Sequence, residues 1–172
     1  MSFNMVVRNG VTAAGARFQE LERRVNVSFS IQRTIQFAET DMAGVLHFSN
    51  YFRLMEEVEH AFWRSLGYSV YMAGKDPDIS WPRVAVHCEY RLPVRFEDTV
   101  ELRHSLTRIG TKSIEHEIEL IRDGRRIAVG TMKTVCCAMT GQGFTAIEIP
   151  AILREKLEPH WVRTGPDTGR KP

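Results

Sequence analysis

The chain has 172 residues, within the range of one domain with a sizeable core, and its 43% apolar and 26% charged content excludes wholesale disorder. Lys and Arg number 23 against 21 Asp and Glu, a formal net charge of +2 that is too small to hold nucleic acid by phosphate neutralisation. No apolar run approaches about 18 residues, so no membrane span is expected, and Cys88, Cys136 and Cys137 have neither disulfide nor metal-ligand spacing, which points to a reducing, cytoplasmic setting.

Residues 1–25 lack clear periodicity, contain no apolar run long enough for a secretory signal, and read as an N-terminal extension. Regular patterning begins at Ser28. Phe29, Ile31, Ile35 and Phe37 alternate with polar residues as in a half-buried strand, with Arg33 interrupting the apolar side once. A helix is predicted from Tyr51 to Leu66, where Tyr51, Leu54, Met55, Val58, Phe62 and Leu66 form one stripe. Ser49 or Asn50 can cap its start, and Gly67 suits the left-handed position after its end. Glu57 reads as part of a solvated charge network with Arg53 and Arg64; Glu56 and Glu59 lie nearer the helix flanks, where either could face an active site.

Four strands are predicted next. In the first, Val84, Val86, Cys88, Tyr90 and Leu92 alternate with Arg83, His87, Glu89 and Arg91. The second carries Val100, Leu102 and Leu106, and the third Ile114, Ile118 and Leu120; Arg103 set against Glu115, Glu117 and Glu119 favours their antiparallel pairing. Asp123-Gly124 signals a hairpin, and Arg125 to Met139 reads as one long strand, apolar on both faces and so central in the sheet or against a partner. Gly141 to Phe144 turns the chain, Pro150 opens a short helix bearing Ile152, Leu153 and Leu157, and Pro159 stops it. The divisions are an extension (1–25), mobile or a short helix, a domain (26–158) and a flexible C-terminal tail (159–172). One helix serving a mostly antiparallel sheet is an α+β arrangement.

Nucleophile-elbow, Walker and dinucleotide motifs are absent, as is metal-ligand spacing. The most unusual stretch is Phe37 to Tyr51, between the first strand and the helix. Asp41 to Gly44 fits a type I turn. The same stretch gathers a carboxylate, an imidazole, an amide and a phenol before a helix start, groups that bind polar substrates and activate water.

The run Thr40-Asp41-Met42-Ala43-Gly44-Val45-Leu46-His47-Phe48-Ser49-Asn50-Tyr51, followed by an acidic, aromatic helix, resembles the 4-hydroxybenzoyl-CoA thioesterase family, and the match extends over about residues 28–157. The resemblance implies a hot-dog fold, an antiparallel sheet of about five strands wrapped around one long helix. It also implies paired subunits, a homodimer or homotetramer, with sites at the interface. It implies hydrolysis of an acyl-CoA to free acid and CoA, with Asp41 as nucleophile or general base and no metal or other cofactor. An ionised carboxylate facing an activated acyl group leaves positioning and oxyanion stabilisation as the remaining tasks.

The family's backbone oxyanion donor falls in Ile79-Ser80-Trp81-Pro82-Arg83; Pro82 has no N–H, which leaves Ser80 or Trp81. Many relatives carry Tyr or His seven residues after the aspartate. Here that position is Phe48, similar to the 1,4-dihydroxy-2-naphthoyl-CoA hydrolases, and the imidazole is His47. His47 either orients substrate or water or hydrogen-bonds the loop, and Tyr51 joins the catalytic candidates. The turn Arg108-Ile109-Gly110-Thr111-Lys112-Ser113 matches the family position that meets the nucleotide phosphates, so Arg108, Thr111, Lys112 and Ser113 are the CoA-binding candidates. Two rival readings are a hot-dog hydratase or dehydratase acting on acyl-CoA or acyl-carrier protein, and a non-catalytic acyl-CoA-binding module.

Overall fold

The computed structural model describes residues 28–74, 77–141 and 143–162; the predicted extension lies outside the described residues, as does the tail from 163. Strand β1 (Phe29–Thr34) leads through a 3-10 turn (Phe37–Glu39) and a loop into helix α1 (Asn50–Ser65). There follow β2 (Tyr71–Met72), β3 (Asp78–Ser80), β4 (Arg83–Tyr90), β5 (Thr99–Ile109), β6 (Ser113–Arg122), β7 (Arg125–Val135), β8 (Cys137–Thr140), β9 (Gly143–Ala146) and helix α2 (Ala151–Leu157). At 16 residues α1 is of ordinary length rather than long. Among the described residues no helix is long and apolar enough to cross a membrane.

The main sheet is antiparallel throughout, in the order β1-β5-β6-β7-β4. The predicted stripe of α1 packs on its inner face: Leu54, Met55 and Val58 meet Leu102, Ile118, Leu120 and Ile127. Each such side chain taken out of water contributes about 1.5–3 kcal/mol. Gly130 lets α1 approach β7 closely, since a Cβ there would overlap the end of Met55. Arg33 is accounted for: its guanidinium meets Glu39 at 2.6 Å and Glu57 at 3.1 Å. Glu57 therefore pairs across to β1 rather than along its own helix. On the outer face Arg103 stands opposite Glu119, 3.5 Å apart, as the charge pattern predicts. Asp123 and Gly124 both take positive φ, 50° and 70°, the geometry of a type I′ hairpin. Gly67, at φ 81°, follows the helix end as expected.

The sheet departs from the sequence reading in two places. The predicted strand from Arg125 to Met139 is two strands, because its neighbours change at Cys136. β7 pairs with β6 and β4, whereas β8 joins a second sheet of order β2-β3-β8-β9. The break is stitched by Cys136 N–H donating to Lys112 O and Val135 N–H to Pro82 O. Among the described residues the strand total rises to nine because β2, β3, β8 and β9 span only two to four residues, too few to show a period.

The second departure is β4. The strand forms as its alternation predicts, yet its apolar positions Val84, Val86 and Tyr90 are 58%, 50% and 47% exposed. Among the described residues β4 is an edge strand paired with β7 alone, and much of this apolar face is left uncovered by them. At the C-terminus Leu153 and Leu157 are buried and Ile152 is exposed. The chain continues in place past Pro159: Val162 N–H donates to Leu106 O and Trp161 Nε1 to Thr107 O.

Candidate active site

The loop between β1 and α1 is held from both ends. Glu39 O accepts from His47 N–H (2.9 Å) and from Asn50 Nδ2 (2.8 Å), tying the loop to the helix start. Leu46 N–H donates to Val94 O at 2.7 Å, fastening the far side to the segment after β4. The predicted turn forms, with Gly44 N–H donating to Asp41 O at 2.9 Å and Gly44 at φ 71°. Asp41 Oδ1 accepts from Ala43 N–H at 2.8 Å, and Val45 N–H lies 3.4 Å away. These donors fix the carboxylate's orientation, while Oδ2 meets no hydrogen-bond donor among the described residues.

Asp41 lines a cleft of about 360 Å³ together with Val45, Leu46, Phe48, Tyr51 and Tyr90, and with Arg91, Leu92 and Pro93 from the segment after β4. The Tyr51 and Tyr90 rings meet edge to face, centroids 4.8 Å apart. Burial, with Cys88 and Tyr90 beside it, pushes the Tyr51 phenol up to about 12, so it is a proton-bearing donor at neutral pH. Tyr90 donates to Phe48 O at 3.3 Å. A fixed carboxylate, a phenol and largely apolar walls can receive an acyl group.

His47 belongs to the loop's own bonding. Its Nδ1 is 2.8 Å from Ser49 Oγ, and Ser49 N–H points at the same nitrogen from 3.4 Å. The side chains of Ser49 and Asn50 are thus turned back onto the loop rather than capping α1, as the sequence had suggested.

The remaining predicted residues lie at the opposite end of the sheet. Tyr90 pairs with Ala128 near the Asp41 loop, whereas Arg83 pairs with Thr134 at the other end, roughly 24 Å away along β4. Ser80 ends β3, and Trp81 is buried against Trp63 with ring centroids 5.0 Å apart. The turn at 110–113 is a structural hub: Gly110 N–H donates to Ser113 O, Ile149 N–H to Thr111 O, and Arg154 Nη2 to Gly110 O at 2.6 Å. Lys112 Nζ rests 3.2 Å from Ala146 O, and Arg108 faces Glu115 at 3.6 Å. Within one chain the structure therefore brings Asp41 and Tyr51 together and keeps Ser80, Trp81 and the 108–113 turn apart from them.

Sequence reasoning missed Tyr90, which it placed on an apolar strand face, and the burial of Glu59, which it left unassigned on the helix flank. Only the period-two position of Tyr90 in a strand of small apolar residues hinted at an aromatic wall. Among the described residues no group of three or more His, Cys, Asp or Glu side chains is placed to hold a metal ion.

A five-stranded antiparallel sheet wrapped on a helix, with a carboxylate loop at the helix start, defines a thioester hydrolase of the hot-dog class. The chain belongs to the Thioesterase-like superfamily, whose family model matches residues 35–157. It is 32% identical over 130 residues to an Aquifex aeolicus (strain VF5) protein named "Putative esterase", covering 76% of this chain and 95% of that one. It is 28% identical over 111 residues to the 1,4-dihydroxy-2-naphthoyl-CoA hydrolase of Synechococcus sp. (strain CC9605), covering 61% of this chain and 74% of that one. Among solved structures, a gentisyl-coenzyme A thioesterase superposes with a TM-score of 0.64 at 29% identity, covering 76% of this chain and 99% of that one. The resemblance read from the loop thus holds at the level of the superfamily.

Proposed function

We propose that the protein hydrolyses an acyl-CoA thioester to the free acid and CoA, with Asp41 as nucleophile or general base. The observation that carries this reading is the Asp41 carboxylate, held through one oxygen by its own loop and lining an aromatic-walled cleft. The CoA-ester activities named for two of the similar proteins support the choice of substrate. Water is the only co-reactant such a hydrolysis needs. Tyr51 donates to the bound acyl group, and His47 holds the loop through Ser49.

The working unit is a homodimer. Half of the predicted site lies at each end of β4, and β4 is an apolar edge with one neighbour. Antiparallel pairing of β4 with a second copy about a twofold axis sets the Tyr90 end of one strand beside the Arg83 end of the other. The Asp41 cleft of one protomer then faces the Ser80-Trp81 segment of its partner, a source of the oxyanion N–H. The exposed cations Lys112 and Arg108 meet the nucleotide phosphates. Three free thiols fit a reducing compartment such as the cytoplasm.

The test is a panel of aliphatic and aromatic acyl-CoAs in the presence of a thiol reagent. Release of free CoA is the expected result. Hydration of an enoyl-CoA without thiol release would instead make the protein a hydratase, and tight binding without either would make it a binding module.

A further inference from the structure

The first residue of β4 is turned the wrong way for a regular strand. Period-two alternation puts Arg83 with His87 and Glu89 on the polar face. The ladder with β7 instead slips between Arg83 and Ala85, a β-bulge that re-aims the side chain. Arg83 reaches the inner side of the sheet, where Nη2 bonds the carboxylate of Glu59 and lies 3.3 Å from His60 Nε2. Its Nη1 lies 3.2 Å from Glu56 and its Nε 3.2 Å from Met132 Sδ.

Glu59 is 0% exposed, on the face of α1 that otherwise carries Leu, Met, Val, Phe and Trp. Its other oxygen, Oε1, meets no donor within hydrogen-bond geometry among the described residues, and the Trp63 indole beside the carboxylate favours its ionised form. A buried carboxylate of this kind is costly unless its ion-pair partner is held in place. What the pair holds is the chain entering β4. Trp81 stacks on Trp63, one helical turn beyond Glu59, and Pro82 O accepts from Val135 N–H at 3.1 Å. This is the segment that supplies the oxyanion N–H.

We propose that Glu59 is a positioning residue for thioester hydrolysis: through the bulged Arg83 it fixes the Ser80–Arg83 segment so that its backbone N–H faces the carbonyl bound in the partner's cleft. The inference rests on the dimeric thioesterase reading given above. It adds a residue that acts through another and never touches substrate.

Burial pushes the Glu59 carboxyl up to about 6, against the pull of Arg83. The other charged or titratable groups around the pair are Glu56 and His60 on α1 and His116 on β6, with His104 on β5 and His160 behind it. Burial holds all three of those histidines and His60 below their ordinary range. Protonating Glu59 weakens its hold on Arg83, so the segment is best fixed above pH 6.

The test uses the acyl-CoA that the wild type hydrolyses fastest. Glu59→Leu and Arg83→Met should each lower kcat at least tenfold with KM within twofold and the dimer intact. The double variant, which removes both charges together, should be no slower than the slower single one. Glu59→Gln keeps one acceptor for Arg83 and should give an intermediate kcat. Its profile between pH 5 and 8 should lack the step near pH 6 that the wild type shows. Tryptophan fluorescence, recorded in a Trp161→Phe background so that Trp63 and Trp81 alone report, should show the same step with Glu59 present and none in Glu59→Gln.

Wild-type kcat in either single variant, a loss carried by KM or by dissociation of the dimer, or a Glu59→Gln profile and fluorescence titration identical to the wild type would each overturn the inference. If no thioester is turned over by the wild type, the proposed function falls, and the fluorescence titration still decides whether Glu59 governs the Trp81 segment.

Discussion

His104 Nε2 and His116 Nδ1 lie 2.8 Å apart, fully buried between β5 and β6, and His116 Nε2 reaches Thr134 Oγ1 at 3.0 Å. The inner face of the sheet thus carries a polar chain whose His–His bond needs a lone pair on at least one ring, and whose burial disfavours charge on either. Burial lowers His104 to about 3 and holds His116 well below 6.5.

The consequence for stability has a definite sign. Both pKa values are depressed in the folded state, so below about 6.5 the unfolded chain binds more protons, and stability falls with pH. Between pH 7 and 5 the His104 ring alone costs about 2 kcal/mol, and His116 adds to the loss in the same direction. Glu59 works the other way: its raised pKa means stability is lost as pH rises through about 6 and regained on acidification, about 1–2 kcal/mol over the same interval. The two histidines outweigh it. Urea unfolding should show the protein less stable at pH 5 than at pH 7 by roughly 2 kcal/mol or more. Stability that is flat or greater at pH 5 would show that the pair is not held neutral.

The edge of β4 gives a second expectation. Val86 is half-exposed on a strand with one neighbour, and a lysine there would face its copy across the proposed twofold interface. Val86→Lys should sediment as a monomer of 19.7 kDa, keep its circular dichroism, and lose thioester hydrolysis. An active monomer would show that each protomer carries a whole site.

Lys112 is expected to act on binding alone, because the CoA phosphates lie far from the reacting carbonyl. Lys112→Ala should raise KM about fivefold to thirtyfold, the loss of about 1–2 kcal/mol from one charged hydrogen bond, with kcat within about a factor of two. A thioester lacking the nucleotide should not distinguish the two proteins. A fall in kcat at unchanged KM would make the turn structural, in keeping with its bonds to the segment at 146–154.

Where a single local pattern sets the outcome, the sequence was sufficient. The stripe of α1, the type I′ pair Asp123-Gly124, the turn at Asp41 and the Arg103–Glu119 register are each dictated within a few residues or by one cross-strand charge pair. Features that depend on which strand lies beside which were not legible. Val84 and Val86 have the same period whether β4 is central or at an edge, and only the sheet order leaves them exposed. The separation of β7 from β8 is set by long-range neighbours and not by Cys136 itself. Arg83 illustrates the site: strict alternation puts it outside, and the single-residue bulge that brings it to Glu59 has no signature in the string. Likewise Asp41 was marked by its turn and loop, but Tyr90 enters the cleft only because the end of β4 returns beside that loop.

The most direct test of the account is the turnover of Asp41→Asn. The amide keeps the side chain's size and the Oδ1 that accepts from Ala43 N–H, so the loop and the fold should be unchanged by circular dichroism and sedimentation. It removes the negative oxygen that, on the proposed mechanism, attacks the thioester or takes the proton from water. The account predicts that kcat for CoA release falls by about 10²–10⁴ with KM little altered. Near wild-type turnover in a correctly folded Asp41→Asn protein would contradict it.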